Sequence, residues 1–239
     1  MRSGALVQLL RTTPTDPRPA IARGELNFTF FYIGPESYLA ARRDVALYAG
    51  ADYIASDGIL FAACLKLLGR KRRTHLTFDY TSLAPSVFDA IAQRRGAVAL
   101  VGGTTEEARR AAEYMEGRHE GLRCVLAESG FFDWETERSA LLARIIAAKP
   151  AAVVLGNGFP RQNRLALALR AEGFEGSIFT CGAFIHQTAR RGQYFPTWIN
   201  RLHLRAFYRI VKEPYVLRRV LIAYPRGVFW FLVDFAAGR

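Results

Sequence analysis

The sequence has little of what metal-binding, disulfide-bonded and membrane-spanning proteins need. Its three cysteines stand far apart in apolar stretches without a CxxC pair, and its four histidines have no metal-ligand spacing. The longest apolar candidate, Gly227–Gly238, contains Asp234 and falls short of the ~18–20 residues that span a bilayer. We therefore predict free buried thiols in a reducing compartment, no metal site and no transmembrane helix.

The N-terminal segment also lacks the features of a signal peptide. Its apolar run, Ala5–Leu10, is too short for a signal-peptide core and is followed at once by prolines. We interpret residues 1–22 as a flexible, loosely ordered arm. The remaining chain, about half hydrophobic, is long enough for one globular domain with an appendage.

Negative charge is scarce, because 21 acidic residues oppose 33 basic ones and leave a net charge of +12. Such an excess indicates an acidic partner: nucleic acid, anionic lipid or a phosphorylated substrate. Between Arg190 and Arg239, ten basic residues oppose two acidic ones and alternate with eleven aromatic residues. This mixture is typical of a segment in the lipid headgroup layer, so we predict a membrane-associating appendage at 190–239. The alternative is a basic, solvated helix pair packed on the core.

Short apolar runs alternate with segments of helical periodicity between residues 23 and 189. This rhythm predicts an α/β domain with a mostly parallel sheet flanked by helices. The predicted strands are Asn27–Ile33, Asp52–Ala55, Ala97–Val101, Arg123–Ala127, Ala151–Leu155 and Ser177–Thr180. The predicted helices are Glu36–Tyr48, Ile59–Leu68, Ser82–Arg95, Glu106–Glu116, Glu135–Ala148 and Arg161–Ala171.

Polar or glycine-rich residues follow several predicted strands, at the end where parallel sheets bind ligands. These loops are Ser56-Asp57-Gly58, Gly102-Gly103-Thr104-Thr105, Gly156-Asn157-Gly158 and Cys181-Gly182-Ala183. Thr104 and Glu107 form a predicted capping box, and the helix that it opens could receive a phosphate. A routine strand-to-helix turn explains the same glycines.

The loop at Gly156–Asn163 nearly forms GxGxxG, but Arg161 stands at the third glycine position. That substitution argues against dinucleotide binding and makes an NAD-dependent oxidoreductase a weak alternative. Arg161 and Gln162 at the start of a helix could still hold a nucleotide. A capped turn is the plainer interpretation.

Two carboxylates stand near predicted strand or helix boundaries. Asp79 precedes the helix that begins near Ser82, and Asp57 follows a strand and precedes Gly58. Each could be a helix cap or a general base, and the sequence alone leaves both interpretations open.

Taken in order, the motifs form one set that resembles the WecG/TagA/CpsF proteins, glycosyltransferase family 26, from about residue 27 to 224. The most specific pieces are a GxGxPRQ loop and a YRxxxEP segment. The motifs are Asp57-Gly58, Phe78-Asp79, Gly102-Gly103, Gly130-Phe131-Phe132, Gly156-x-Gly158-x-Pro160-Arg161-Gln162, Gly182-Ala183-Phe184 and Tyr208-Arg209-x-x-x-Glu213-Pro214.

The resemblance implies a Rossmann-like domain that binds a UDP-sugar and a C-terminal appendage that docks on an anionic membrane and completes the active site. The implied reaction is inverting transfer of a hexose, an N-acetylhexosamine or its uronic acid to a polyprenyl-diphosphate-linked glycan, in bacterial exopolysaccharide or cell-surface polysaccharide synthesis. It implies no cofactor and no metal. The implied location is the inner face of the bacterial cytoplasmic membrane.

The resemblance also assigns roles to residues. Asp79 matches the general base, Arg209 and Arg219 match appendage arginines that meet the diphosphate, and Arg218 could replace an arginine expected at Val216. The implied UDP-sugar-binding residues are Asp57, Gly58, Gly102, Gly103, Phe131, Gly156, Gly158, Arg161, Gln162 and Gly182.

The chain departs from the family pattern at several positions. Tyr32-Ile33-Gly34 replaces the usual Thr-x-Asn, Thr77 replaces a glycine, and Asn163 replaces a glutamate. These departures favour a divergent exopolysaccharide enzyme over teichoic-acid synthesis. They leave the donor sugar, the linkage and the oligomeric state open, including a homo-oligomer. The alternative from another class is a non-enzymatic nucleic-acid-binding protein that uses the basic, aromatic C-terminus; the resemblance implies no specific nucleic acid.

Overall fold

The computed structural model describes residues 4–67, 76–191, 199, 217 and 219–238. In these residues a six-stranded sheet has the order β2-β1-β6-β5-β3-β4, and every neighbouring pair is parallel. The strands are β1 Thr29–Ile33, β2 Tyr53–Ser56, β3 Ala97–Gly102, β4 Arg123–Glu128, β5 Ala152–Gly156 and β6 Ser177–Thr180. All six predicted strands and the parallel sheet are confirmed.

Helices cover both faces of the sheet. They are α1 Ala5–Thr12, α2 Arg18–Ala22, α3 Pro35–Ala41, α4 Ala46–Ala49, α5 Ile59–Lys66, α6 Leu83–Ala92, α7 Thr105–Arg118, α8 Arg138–Ala148, α9 Arg161–Ala171, α10 Phe184–Arg191 and α11 Tyr224–Ala237. A π-helical segment, Arg219–Ala223, leads into α11. In the described ranges, no helix combines the length and the apolar character needed to cross a bilayer.

Alternate strand residues fill two separate cores. Phe31, with neighbours from β3, β5 and β6, packs under α1, α3, α5, α8, α9 and α11. Phe30 and Phe179 lie on the other face, under α2, α6, α7 and α10. Strands that are buried on both faces read as continuous apolar runs, which is why the sequence pattern located them.

The connections create a crevice between β3 and β5. From β3 the chain crosses to β4 through α7, on the Phe30 face; from β5 it crosses the opposite way to β6 through α9, on the Phe31 face. Neighbouring strands whose connections diverge leave a gap beyond their carboxyl ends, where open α/β sheets bind ligands.

The N-terminal segment is not the loosely ordered arm that the sequence predicted. Residues 5–12 and 18–22 are helices α1 and α2, and Leu6, Val7 and Leu10 of α1 are fully buried. The prediction failed because the prolines after Leu10 lead into α2, whose N-cap is Pro17, and because α1 packs against the distant α11.

One face of α11 belongs to the core. Phe231 packs edge-on against Tyr38 and Phe61, and a Cβ on Gly227 would lie 1.9 Å from the Pro35 carbonyl oxygen. Only glycine allows that contact between α11 and α3. The last helix of the predicted appendage is therefore continuous with the α/β domain.

A buried carboxylate fixes α11. Asp234 is fully buried; it accepts a hydrogen bond from the Tyr38 hydroxyl at 3.0 Å and from Arg42 Nε at 2.6 Å. The Arg42 guanidinium also lies 4.2 Å from the centroid of the Trp230 ring. Burial, and then the charge of Asp234, raises the pKa of Tyr38, so its hydroxyl remains a donor.

Candidate active site

The predicted ligand loops come together at one edge of the sheet. Each follows the carboxyl end of a strand, and the strand order places them in one row. From one side to the other they are Asp57-Gly58 after β2, Gly182 after β6, Gly156-Asn157-Gly158 after β5, Gly102-Gly103 after β3 and Gly130-Phe131 after β4. Gly34, which the sequence marked only as a departure, follows β1 in the same row.

Three glycines in this row form a floor without side chains. A Cβ on Gly102 would lie 2.8 Å from the Gly156 Cα, and one on Gly130 would lie 2.9 Å from the Gly102 Cα. A Cβ on Gly156 would lie 3.0 Å from Cys181 Sγ. The backbones are in direct contact, so no larger residue fits without displacing a strand end.

Other glycines at this edge face open space. Gly58, Gly158 and Gly182 have φ values of +86°, +76° and +55°, a conformation that L side chains rarely adopt, and no described atom lies within 4 Å of a Cβ built there. A ligand can therefore approach these backbones closely.

The β3–α7 loop is held by the predicted capping box, which is confirmed. Thr104 Oγ1 accepts from the Glu107 amide at 3.2 Å, and Glu107 Oε2 accepts from the Thr104 amide at 2.9 Å. Glu107 Oε1 also lies 2.7 Å from His186 Nδ1 on α10. Burial alone would raise the pKa of Glu107, but the Thr104 amide and His186 outweigh it, so the pKa is lowered. The contact between Glu107 and His186 therefore connects α7, which follows β3, with α10, which follows β6.

Asp79 lies in the loop before α6 and does not cap that helix. The N-cap position belongs to Ser82, so the capping interpretation of Asp79 is wrong. Its Oδ1 instead accepts from the Thr81 amide at 2.8 Å and from the Thr81 hydroxyl. These bonds orient the carboxylate within its own turn.

The Tyr32 hydroxyl, at the end of β1, is buried and has no described hydrogen-bond partner. Burial raises the pKa of Tyr32 well above its ordinary value, and the charges of Asp79 and then Asp57 raise it further. The charges of both carboxylates therefore act on this phenol, at the end of β1. Gly34 follows on the same strand, and a Cβ there would lie 3.2 Å from Asp57 Cβ.

Arg161 joins the loops after β4 and β5. Its Nη2 donates to the Phe132 carbonyl at 2.7 Å, and its guanidinium lies 5.2 Å from the Phe132 ring centroid and 5.7 Å from that of Trp134. Gln162, next in the chain, is only 5% exposed. Arg161 thus contacts protein groups, and its predicted role in substrate binding stays a prediction.

The loop after β4 is attached to Gly103. The Gly130 amide donates to the Gly103 carbonyl at 2.9 Å and the Ser129 hydroxyl to the same oxygen at 3.1 Å, while the Phe131 amide donates to Ser129 Oγ at 3.0 Å. Phe131 itself is 79% exposed. These hydrogen bonds fix the backbone at Gly130 and Phe131, and the Phe131 ring is exposed at the end of the row of loops.

Several predicted site residues are not located by this structure. Arg209 and Arg218 lie outside the described residues, and of Arg219 only the backbone is described. Over the ranges that the structure covers, no three His, Cys, Asp or Glu side chains form a group able to hold a metal ion. The sequence noted Tyr32 only as a departure and Asn157 only as part of a glycine loop, and it missed His186, because the surroundings of these residues depend on strand order.

Comparison with known proteins connects this edge to one enzyme family. The profile of the glycosyl transferase WecG/TagA/CpsF family matches residues 17–238. The chain is also similar to a UDP-Gal:alpha-D-GlcNAc-diphosphoundecaprenol beta-1,4-galactosyltransferase of Shigella boydii, with 32% identity over 204 residues that cover 85% of each chain. The match extends from α2 to α11, and it favours an enzyme over the nucleic-acid-binding alternative. The chain therefore belongs to the WecG/TagA/CpsF family of glycosyltransferases.

Proposed function

We propose that the enzyme transfers a sugar, with galactose as the first candidate, from a UDP-sugar to an undecaprenyl-diphosphate-linked N-acetylglucosamine. The name of the Shigella boydii relative, a beta-1,4-galactosyltransferase acting on such an acceptor, supports this substrate pair. A β linkage formed from an α-linked sugar nucleotide means inversion at the anomeric carbon. The pathway would be bacterial cell-surface or exopolysaccharide synthesis.

The placement of Asp57 and the glycine loops along one edge of the sheet, with Asp79 in the loop before α6, carries the proposal. Inverting transfer needs one base that takes a proton from the acceptor hydroxyl while that oxygen attacks the anomeric carbon. Asp79 suits this role because Thr81 fixes one of its oxygens. Asp57 follows β2 at the same edge of the sheet.

The departing UDP carries negative charge that needs stabilisation. We assign this role to Arg209, Arg218 and Arg219, because a guanidinium stays charged and its fork matches phosphate oxygens. One well-placed donor of this kind contributes about 3–4 kcal/mol to the lowering of a barrier. The glycines at Gly102, Gly156, Gly158 and Gly182 would let the nucleotide approach the backbone.

The outward face of α11 supports the membrane part of the proposal. Its inner face carries the carboxylate Asp234, whereas its outer face is apolar: Phe229 is 58% exposed, Leu232 41% and Val233 37%. Leu221 and Ile222, 64% and 50% exposed, precede the helix. A soluble helix has the opposite arrangement. We assign this face to an anionic membrane surface, at the cytoplasmic side of the bacterial inner membrane.

Replacement of Asp79 by Asn tests the catalytic assignment. Loss of a general base should lower transfer by on the order of 10²–10⁴-fold, while UDP binding remains. Transfer of labelled galactose from UDP-galactose to a synthetic polyprenyl-diphosphate-linked N-acetylglucosamine measures the first quantity, and calorimetry with UDP the second.

Asp89→Asn is the matched control. This residue is an exposed carboxylate of α6, paired with His119 at 2.7 Å, and its loss should leave turnover close to that of the wild type. Wild-type turnover by Asp79→Asn would remove Asp79 from the role of base. Failure of the wild type to bind UDP would contradict the proposed donor.

A further inference from the structure

Buried polar atoms without partners are concentrated at the start of α9. In the described part of the chain, ten buried side-chain nitrogen or oxygen atoms have no hydrogen-bond partner, and five of them belong to residues 157–163. Asn157 contributes both its Oδ1 and its Nδ2. Because native proteins pair nearly all such atoms, a buried carboxamide with neither function satisfied indicates a missing partner.

Asn157 lies in the crevice between β3 and β5. A Cβ on Gly130 would lie 3.0 Å from the Asn157 Cβ and 2.9 Å from the Gly102 Cα. The residue thus borders the glycine floor, and Phe131, 79% exposed, is the next residue after Gly130. A flat ligand ring at this position would meet an aromatic face and a carboxamide together.

The strand order fits a donor that lies along this edge, with its sugar near the end of β1 and its base near the end of β5. Gly34 and Asp57 approach each other at the ends of β1 and β2, where we place the reacting sugar, and Asn157 follows β5, two strands from β1. Neighbouring strands are about 4.8 Å apart, so the separation is roughly 10 Å. The diphosphate and ribose of a UDP-sugar place a comparable distance between the anomeric carbon and the base. Gly182 after β6 lies between the two positions and leaves its backbone open.

We infer that Asn157 reads the uracil ring of the donor, an assignment that rests on the proposed function. The imide edge of uracil presents an N3–H donor between two carbonyl acceptors. A carboxamide matches it, since Oδ1 accepts from N3–H and Nδ2 donates to O4. Phe131 stacks on the ring, as aromatic side chains do with nucleobases.

The test compares UDP with 3-methyl-UDP, in which a methyl group replaces the N3 hydrogen. Wild-type enzyme should bind UDP on the order of 10–100-fold more tightly, because the methylated base leaves a buried acceptor unpaired. Asn157→Leu should weaken UDP binding by a similar factor and bind both nucleotides equally. Calorimetry measures the four dissociation constants.

Two further variants separate recognition from folding. Asn157→Asp keeps the acceptor but loses the donor, so it should bind UDP less tightly and still discriminate against 3-methyl-UDP. Asn163→Leu removes another buried carboxamide, whose Nδ2 donates to the Leu47 carbonyl; it should keep the wild-type ratio. The melting temperature of ligand-free Asn157→Leu should equal or exceed that of the wild type, since no described bond is lost.

The outcomes distinguish this inference from the proposed function. If the wild type binds UDP and Asn157→Leu keeps the preference over 3-methyl-UDP, Asn157 does not read the base and only the inference fails. If the wild type binds neither nucleotide, the UDP-sugar donor fails as well.

Discussion

Replacement of Arg42 by Met should destabilise the enzyme more than replacement of its partner, Asp234, by the uncharged Asn. The substitution keeps much of the apolar stem but removes the guanidinium, so a fully buried carboxylate keeps only the Tyr38 hydroxyl as a described hydrogen-bond donor. Breaking a buried ion pair from one side costs about 3–5 kcal/mol. The Arg42 side chain is 30% exposed, so water relieves part of this, and we expect about 3 kcal/mol.

For a chain of this size, 1 kcal/mol corresponds to a shift in melting temperature of roughly 2–4 °C. Arg42→Met should therefore lower the melting temperature by about 6–12 °C. Asp234→Asn removes the charge but keeps an acceptor for Tyr38, so its cost should be near 1 kcal/mol. The double variant should be more stable than Arg42→Met alone, because no unpaired carboxylate remains.

Thermal unfolding of the four proteins, followed by circular dichroism, measures this coupling. Equal losses for Arg42→Met and Asp234→Asn, or losses that simply add in the double variant, would refute the reasoning. Such a result would mean that the Asp234 carboxylate reaches water after α11 shifts. Limited proteolysis would show whether α11 detaches in the Arg42→Met protein.

Two other predictions concern the outer face of α11 and the thiol beneath the glycine floor. The double variant Phe229→Ser, Leu232→Ser should sediment less with vesicles containing anionic lipid. The control Val125→Ser, on the edge strand β4, should sediment like the wild type. Unchanged sedimentation of the double variant would exclude this face of α11 from membrane binding. Burial raises the pKa of Cys181 to about 12, so the thiol stays protonated at pH 8 and should be alkylated by iodoacetamide far more slowly in the native enzyme than in urea. Mass spectrometry of peptides measures the two rates, and equal rates would show that the thiol is accessible.

The parts of the fold that are determined locally could be predicted from the sequence. Five of the six strands are short apolar runs that are mostly buried on both faces, and the edge strand β4 is partly exposed. The capping box at Thr104 depends on residues three positions apart. The predicted helix Glu36–Tyr48 is instead divided into α3 and α4 by a turn at residues 42–45. Arg42, at that turn, pairs with a residue 192 positions away, a contact that periodicity does not indicate.

In the candidate site, too, features determined locally were predictable and long-range contacts were not. The glycine loops were predictable because each follows a strand, and a parallel sheet brings all carboxyl ends to one edge. The close approach of Gly34 to Asp57 was not predictable, because it requires β1 to lie beside β2. Asp234 was interpreted as an interruption of an apolar segment, yet it is the residue that holds that segment to α3.

The contact among Gly102, Gly130 and Gly156 constrains how this enzyme could acquire a new donor. A methyl group at any of the three would meet a neighbouring strand or thiol at 3.0 Å or less, so the bottom of the pocket cannot be reshaped by ordinary substitutions. Changes in sugar preference, whether arising naturally or by engineering, would have to come from the rim, where Tyr32 and the open turns at Gly58 and Gly182 have room for new groups.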